Sequence, residues 1–197
     1  MDVFVGITGA SGAPYARRLV SALVRSGHTV GVSFSGSGAQ VAGQELYGDL
    51  RMDRNEAIDR FCADTGLDRS NVWEPGDYSS PYASGSARWD AAVICPCSMD
   101  TLAAIASGAG SSLLHRAAGV ALKEDRKLIL VPRETPLSLI QIRNIERVAE
   151  AGAHILPAMP AFYHRPTTIN ELIDFVAGKV LNLLGVDQQM LAEWRDQ

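Results

Sequence analysis

Asp2-Val3-Phe4-Val5-Gly6-Ile7-Thr8-Gly9-Ala10-Ser11-Gly12-Ala13-Pro14 opens the chain. Its first half is an apolar, β-branched run. Its second half is a glycine-rich turn that hands over to a helix beginning near Ala13. Such a turn gathers backbone N–H groups and the positive end of a helix dipole around one point, and its glycines let an anion come close. Strand, turn and helix together read as a cradle for a phosphate or a nucleotide-like ligand. Tight packing alone also selects glycine turns after a first strand, so the motif leaves both readings open. It is not a Walker loop, because no Gly-Lys-Ser/Thr follows, and the spacing G-x-G-x-x-G fails from Gly6 and from Gly9. Ser11, where the chain enters the helix, is placed to act as N-cap and as ligand to a phosphate.

Outward from this unit the pattern repeats. Apolar runs near 2–8, 29–34, 90–95, 127–132 and 153–156 read as strands, and helical periodicity marks 13–26, 37–47, 55–64, 98–107, 111–124, 137–151 and 168–184. Strands alternating with helices indicate βαβ units and a parallel sheet. Runs such as Ala91-Ala92-Val93-Ile94-Cys95 are apolar without alternation, as expected where helices cover both faces. The expected fold is a single-domain α/β protein: a doubly wound, Rossmann-like, mostly parallel sheet with helices on both faces. Its ligand crevice belongs outside the carboxyl ends of the strands, where residues 9–12, Ser35, 95–101 and 133–136 fall.

The 197 residues, 47% hydrophobic and 20% charged, suffice for one well-buried domain over 1–197 and not for two. Residues 50–88 are the least regular stretch, punctuated by Gly66, Pro75, Gly76, Pro81 and Gly85, and read as an insertion or cover segment. A net charge of −4 gives no footprint for nucleic acid or an anionic membrane. No apolar run approaches the roughly 18 residues of a spanning helix, and the N-terminus lacks the basic flank of a signal peptide, so a cytoplasmic protein is expected. Cys62, Cys95 and Cys97 form neither a C-x-x-C nor a zinc pair and are expected to be reduced thiols.

Five further segments carry candidate chemistry. Ser84-Gly85-Ser86 precedes the third strand and Pro96-Cys97-Ser98-Met99-Asp100-Thr101 follows it, with Ser98 also readable as a simple N-cap. Arg116 and Lys123 are seven residues apart and so share one helix face, an arrangement that a solvated surface also produces. Arg133-Glu134, at the end of an apolar strand, suits phosphate recognition by a guanidinium or an ordinary ion pair. The 157–166 stretch, with Phe162, Tyr163, His164 and Arg165 between prolines, is too specific for a plain connector.

In this order, Gly9-Ala-Ser-Gly12, Ser84-Gly-Ser86, Pro96-Cys-Ser98, Arg133-Glu-Thr-Pro136 and Pro160-Ala-Phe-Tyr-His-Arg-Pro166 resemble the UbiX-like flavin prenyltransferases. The resemblance runs over nearly the whole chain. It implies transfer of a dimethylallyl group from dimethylallyl phosphate to N5 and C6 of reduced FMN, yielding a cofactor for UbiD-type decarboxylases. Carried over by motif, FMN would be held by Gly9, Ala10, Ser11, Ser35, Ser98, Met99, Asp100, Thr101 and Arg133. The prenyl phosphate would sit against Arg116, Lys123, Arg133, Glu134, Tyr163 and Lys179. Glu45 would lie near the reacting flavin edge, and Ser11, Glu45 and Glu134 would handle protons. Assembly into a homo-oligomer is implied, a dodecamer among the expected sizes, and Trp194 and the apolar residues near Leu181 to Leu184 are candidates for partner contact.

The chemistry of this set is coherent. Four cations can stabilise a departing allylic phosphate without a metal ion. Two of the chain's three lysines, Lys123 and Lys179, belong to the group, while Lys127 has no assigned role. An allylic cation prefers aromatic faces, here the flavin and then Tyr78 or Tyr82. The sequence departs from the family at Asp100, where a basic residue is common, and at Gly119, where an acidic one is. Two other readings remain: a flavin-dependent cysteine decarboxylase, whose histidine is expected in the first third of the chain and could there only be His28, and an FMN-binding carrier subunit.

Overall fold

The computed structural model describes residues 1–191, so Trp194 lies outside the described residues. Six parallel strands, β1 (Asp2–Ile7), β2 (Thr29–Phe34), β3 (Val72–Trp73), β4 (Ala91–Cys97), β5 (Lys127–Pro132) and β6 (His154–Ile155), pair in the order β3-β2-β1-β4-β5-β6. Helices α1 (Ala13–Arg25), α2 (Gly36–Tyr47), α3 (Arg54–Thr65) and α7 (Ile169–Leu184) cover one face, and α4 (Met99–Ser107), α5 (Leu113–Lys123) and α6 (Leu139–Glu150) cover the other. The doubly wound fold expected from the sequence is therefore the observed one. The strand order reverses between β1 and β4, and at such a switch point the connections leave in opposite directions and open a crevice at the carboxyl ends.

Because side chains alternate along a strand, each central strand feeds two cores. Val3, Val5 and Ile7 of β1 join α1 and α7, whereas Phe4 packs toward α4 and α5. In β4 the alternation shifts at a register irregularity between Ile94 and Cys97, so Cys95 enters the first core and Cys97 the second. The Cys95–Pro96 and Thr135–Pro136 peptide bonds are cis.

Residues 50–88 are more ordered than the sequence suggests. They supply α3, the edge strand β3, and two 3-10 turns at Arg69–Asn71 and Pro81–Ala83. β3 escapes sequence reading because Val72 and Trp73 sit between polar residues and the Pro75-Gly76 turn, with no apolar run around them. Tyr82 is not an open aromatic face. It is 3% exposed, its ring packs 5.1 Å from Phe4 and 5.7 Å from Trp89, and its hydroxyl donates to Asp2 at 2.6 Å. Tyr78 remains half exposed. Leu181 and Leu184 are core residues of α7, which removes them from any partner contact. Lys127 donates to the Leu183 carbonyl and ties β5 to the end of α7. No helix is long and apolar enough to cross a membrane among the described residues.

Candidate functional site

The crevice is built from four strand ends. After β1, Gly12 rather than Ser11 is the N-cap of α1; at φ 132° it holds a backbone that a Cβ would strain, and a Cβ there would meet Tyr15 at 2.9 Å. Ser11 therefore makes no cap bond and stands exposed at the mouth of the turn. The donors of the α1 N-terminus are already used: Glu45 Oε2, from α2, accepts the N–H groups of Gly12 and Ala13 at 2.9 Å each. The anion expected there is thus the protein's own carboxylate, which the positive helix end favours.

After β2, Ser35 caps α2 by accepting the Gly38 N–H at 2.9 Å, and its own N–H donates to the Ile7 carbonyl at 2.9 Å. Gly9 and Gly38 allow the β1 and β2 turns to touch. A Cβ on Gly9 would lie 2.3 Å from Ser37 Oγ, and one on Gly38 would lie 2.3 Å from the Ile7 carbonyl oxygen. After β4, Ser98 caps α4 by accepting the Thr101 N–H at 3.3 Å and donates to Thr101 Oγ1 at 3.1 Å. The Met99 side chain is buried in the core, and Asp100 points to solvent. The β1 and β4 turns are joined by Thr8, which is 1% exposed: its hydroxyl donates to the Pro96 carbonyl at 2.7 Å and accepts the Ser98 N–H at 2.7 Å. Sequence reasoning passed over Thr8, whose only signal is a hydroxyl at the last step of an apolar strand.

After β5, the Arg133 N–H donates to the Cys97 carbonyl at 3.3 Å, which holds the backbone of this exposed residue beside the Ser98 turn. Glu134 accepts the Thr135 N–H at 3.0 Å through one carboxylate oxygen. The 157–166 loop starts beside this strand, with the Ala158 N–H on the Pro132 carbonyl at 2.9 Å. Its Tyr163 and His164 rings gather on Phe175 of α7, His164 stacked at 5.4 Å and Tyr163 edge-on at 6.0 Å, and Lys179 lies over the other side of that contact, 5.6 Å from the Phe175 centroid. Tyr163 and Lys179 thus belong to one cluster.

Burial shapes the acid–base character of the crevice wall. It pushes the Cys95 thiol up to about 12 and raises Cys97 further, so neither is a thiolate at neutral pH. Tyr15 is raised by burial first, then by Cys95 and Glu45.

Two expected site residues lie elsewhere. α5 descends toward the start of β5, so Lys123 is at the amino ends of the strands, paired with Glu124, and Gly85 packs against both. Six residues of β5 separate that end from Arg133, about 20 Å at strand rise. Arg116 does share a face with Lys123, and its Nε donates to the Ala83 carbonyl at 2.8 Å. Ser84 and Ser86, hydrogen-bonded to each other at 2.8 Å, accompany this second cluster rather than the crevice. The resemblance groups Arg116 and Lys123 with Arg133, whereas within one chain Lys123 stands at the opposite end of β5 from Arg133.

His28 is also remote from the crevice, with Nδ1 3.2 Å from the Met1 amino group. A groove of about 450 Å3 along the outside of α1 is lined by Arg17, Arg18, Asp64 and Asp174, whose charges pair with one another. No group of three or more His, Cys, Asp or Glu side chains is placed to hold a metal ion among the described residues.

The model of the flavoprotein family matches residues 1–181. The flavin prenyltransferase UbiX of Halalkalibacterium halodurans is 44% identical over 193 residues, covering 98% of this chain and 93% of that protein. The chain belongs to the UbiX flavin prenyltransferase family. The solved structure of AnUbiX (PadA1), in complex with FMN and dimethylallyl pyrophosphate, superposes with a TM-score of 0.86 at 36% identity, covering 98% of this chain and 96% of that one. A dodecameric FMN-dependent Ubix-like decarboxylase from Escherichia coli O157:H7 gives a TM-score of 0.85 at 34% identity, with 98% and 99% covered.

The site fits the flavin that this family handles. Hydroxyls at Ser11, Ser35 and Thr101 and the guanidinium of Arg133 are the donors available to a phosphate and a ring edge, the Ser98 proton being taken by Thr101. The hydroxyl proton of Thr101 has no acceptor among the described hydrogen bonds. The Gly12 and Ala13 amides at the α1 N-terminus are already taken by Glu45.

Proposed function

We propose that this protein joins the dimethylallyl group of dimethylallyl phosphate to N5 and C6 of reduced FMN, and that the product passes to a UbiD-type decarboxylase. The observation that carries the reading is the convergence of the 9–12, Ser35, 98–101 and 133–134 segments at the β1/β4 switch point, in a chain whose relatives are named for this reaction. The reduced flavin supplies the nucleophilic N5 and C6 positions. Gly9, Ala10 and Ser11 approach it through the backbone and one hydroxyl, while Met99 contributes only its backbone. Ser35, Ser98, Asp100, Thr101 and Arg133 line the remaining edge.

Tyr163 and Lys179, with Arg133, orient the donor phosphate, whose growing negative charge their fixed donors stabilise. One oxygen of Glu134 carries no hydrogen bond in the structure, which suits it to take the proton lost at C6. Ser11, next to the amides that Glu45 holds, relays a proton at N5.

Lys123 and Arg116 serve the same phosphate only if a second copy brings its amino-end cluster to this crevice. Exposed Leu139, Ile140 and Ile142 on α6, with Phe162 and Ile169 nearby in sequence to the crevice loop, give apolar surface for such assembly. A dodecamer is the size that fits the family neighbour. The three buried thiols fit a cytoplasmic setting.

A carrier subunit or a cysteine decarboxylase would bind FMN without prenylating it, and the remote position of His28 counts against the latter. Anaerobic incubation of the protein with reduced FMN and dimethylallyl phosphate, followed by mass analysis of the flavin, decides the matter. A gain of one C5 unit with phosphate release supports the transferase; unmodified, tightly bound FMN rejects it in favour of the carrier.

A further inference from the structure

We infer that Thr8 is a positioning residue for the flavin: its buried hydroxyl sets the distance between the Gly9–Ser11 turn and the Ser98–Thr101 turn. Thr8 is the last residue before the glycine turn and is 1% exposed. Its hydroxyl has one proton, and at 2.7 Å the Pro96 carbonyl takes it. Its lone pair then accepts the Ser98 N–H, also at 2.7 Å. The first is of ordinary length for an O–H···O bond and the second lies at the short end of the N–H···O range, and both link the β1 end to the β4 end at the point where the strand order reverses.

The polarity of this chain has a consequence two residues on. With its N–H committed to Thr8, Ser98 is held with its Oγ over the start of α4, accepting the Thr101 N–H and donating to Thr101 Oγ1. The proton left over in this chain is that of the Thr101 hydroxyl, which has no acceptor among the described hydrogen bonds and is available to a ligand. Thr8 touches no ligand in this scheme; it acts through Ser98. Removing its hydroxyl while keeping its shape orphans the part-buried Ser98 N–H and leaves the Pro96 carbonyl only the Thr8 N–H at 3.3 Å, so the two turns lose the side-chain half of their clamp.

The inference rests on the flavin reading above and is tested separately from it. FMN affinity is titrated by flavin fluorescence for the unaltered protein, T8V and T8S, and the KM for dimethylallyl phosphate is measured at saturating FMN. The expected result is an FMN affinity at least tenfold weaker in T8V and within about threefold of the original in T8S, with KM for the prenyl donor changed less than about threefold, because that end is held by Arg133, Tyr163 and Lys179. Unchanged FMN affinity in T8V overturns the inference. So does an equal loss in T8S, which would assign the effect to the threonine methyl, or an equal rise in KM, which would mean general loosening. If T8V does not fold by circular dichroism, T8A is judged by the same criteria. An unaltered protein that binds no FMN rejects the flavin site itself, whatever the variants do.

Discussion

Glu45 Oε2 accepts the Gly12 N–H at 2.9 Å, so a carboxylate from α2 closes the positive end of α1 beside Ser11. A side chain one oxygen different in charge but equal in shape separates the two tasks of this group. In Glu45→Gln the amide oxygen still accepts from Gly12 or Ala13 while the charge is lost. The melting temperature should fall by the equivalent of about 1 kcal/mol. The prenylation rate should drop about a hundredfold while FMN affinity changes little. Single-turnover rates and an FMN titration check this; equal losses in both would remove Glu45 from proton handling.

The close approach of the β1 and β2 turns predicts opposite outcomes for two neighbouring glycines. In Gly38→Ala the new methyl lies 2.3 Å from the Ile7 backbone oxygen, which cannot swing aside, so chemical denaturation should report a loss of about 1–3 kcal/mol. Gly36→Ala meets nothing within 4 Å, and its stability should stay within about 0.5 kcal/mol or rise slightly on helix propensity.

Lys123 and Arg133 sit at opposite ends of the sheet, and the proposed reaction needs both. Lys123→Ala and Arg133→Ala homo-oligomers should each lose most activity. Co-assembled in equal amounts, about a quarter of sites should regain an intact pair in a symmetric assembly. Mixed subunits that stay inactive after refolding together would show that Lys123 has no part in a shared site.

Acid should loosen the crevice loop through Glu171. Hydrogen bonds from the Thr167 N–H chiefly, then from Thr168 and the Thr167 hydroxyl, hold its carboxyl below the ordinary 4.5. Below 4.5 the unfolded chain takes up this proton first, so the contribution is complete above 4.5 and lost as the pH falls through the lower folded value. Melting curves across that range should fall more steeply for the original protein than for Glu171→Gln. Matching slopes would mean that the capping box at Thr168 does not depend on the charge.

His115 gives a second, higher window. Burial lowers it from the ordinary 6.5, so below that value the unfolded state binds more protons and stability declines until the folded ring also charges. His115→Gln should flatten the decline near neutrality while leaving the acid limb.

Most of the sheet was legible because burial on both faces leaves apolar runs that no helix cap interrupts: β1, β2 and β5 end within a residue of where periodicity puts them. What stayed hidden depends on directions that a linear pattern does not carry. That Ser84, Ser86 and Lys123 lie away from the crevice is hidden because a linear pattern does not say which end of a strand a neighbouring loop or helix reaches. Ser11 looked like a cap because its hydroxyl precedes Pro14, yet Gly12 takes the position and a carboxylate 33 residues away supplies the bond. Tyr82 read as a cover residue until its partner proved to be Asp2, 80 positions earlier. Each of these is a long-range pairing made by a side chain.

The shift at Pro96 that sends Cys95 into one core and Cys97 into the other also gives the protein an internal clock. Neither neighbour can reach the other's face, both thiols and Cys62 are buried, and burial keeps each one protonated. A thiol reagent added to the folded chain therefore reads openings rather than surface, and the three cysteines report three places. Cys62 dates the release of α3, while Cys95 and Cys97 date the parting of the two helical layers from the central strand.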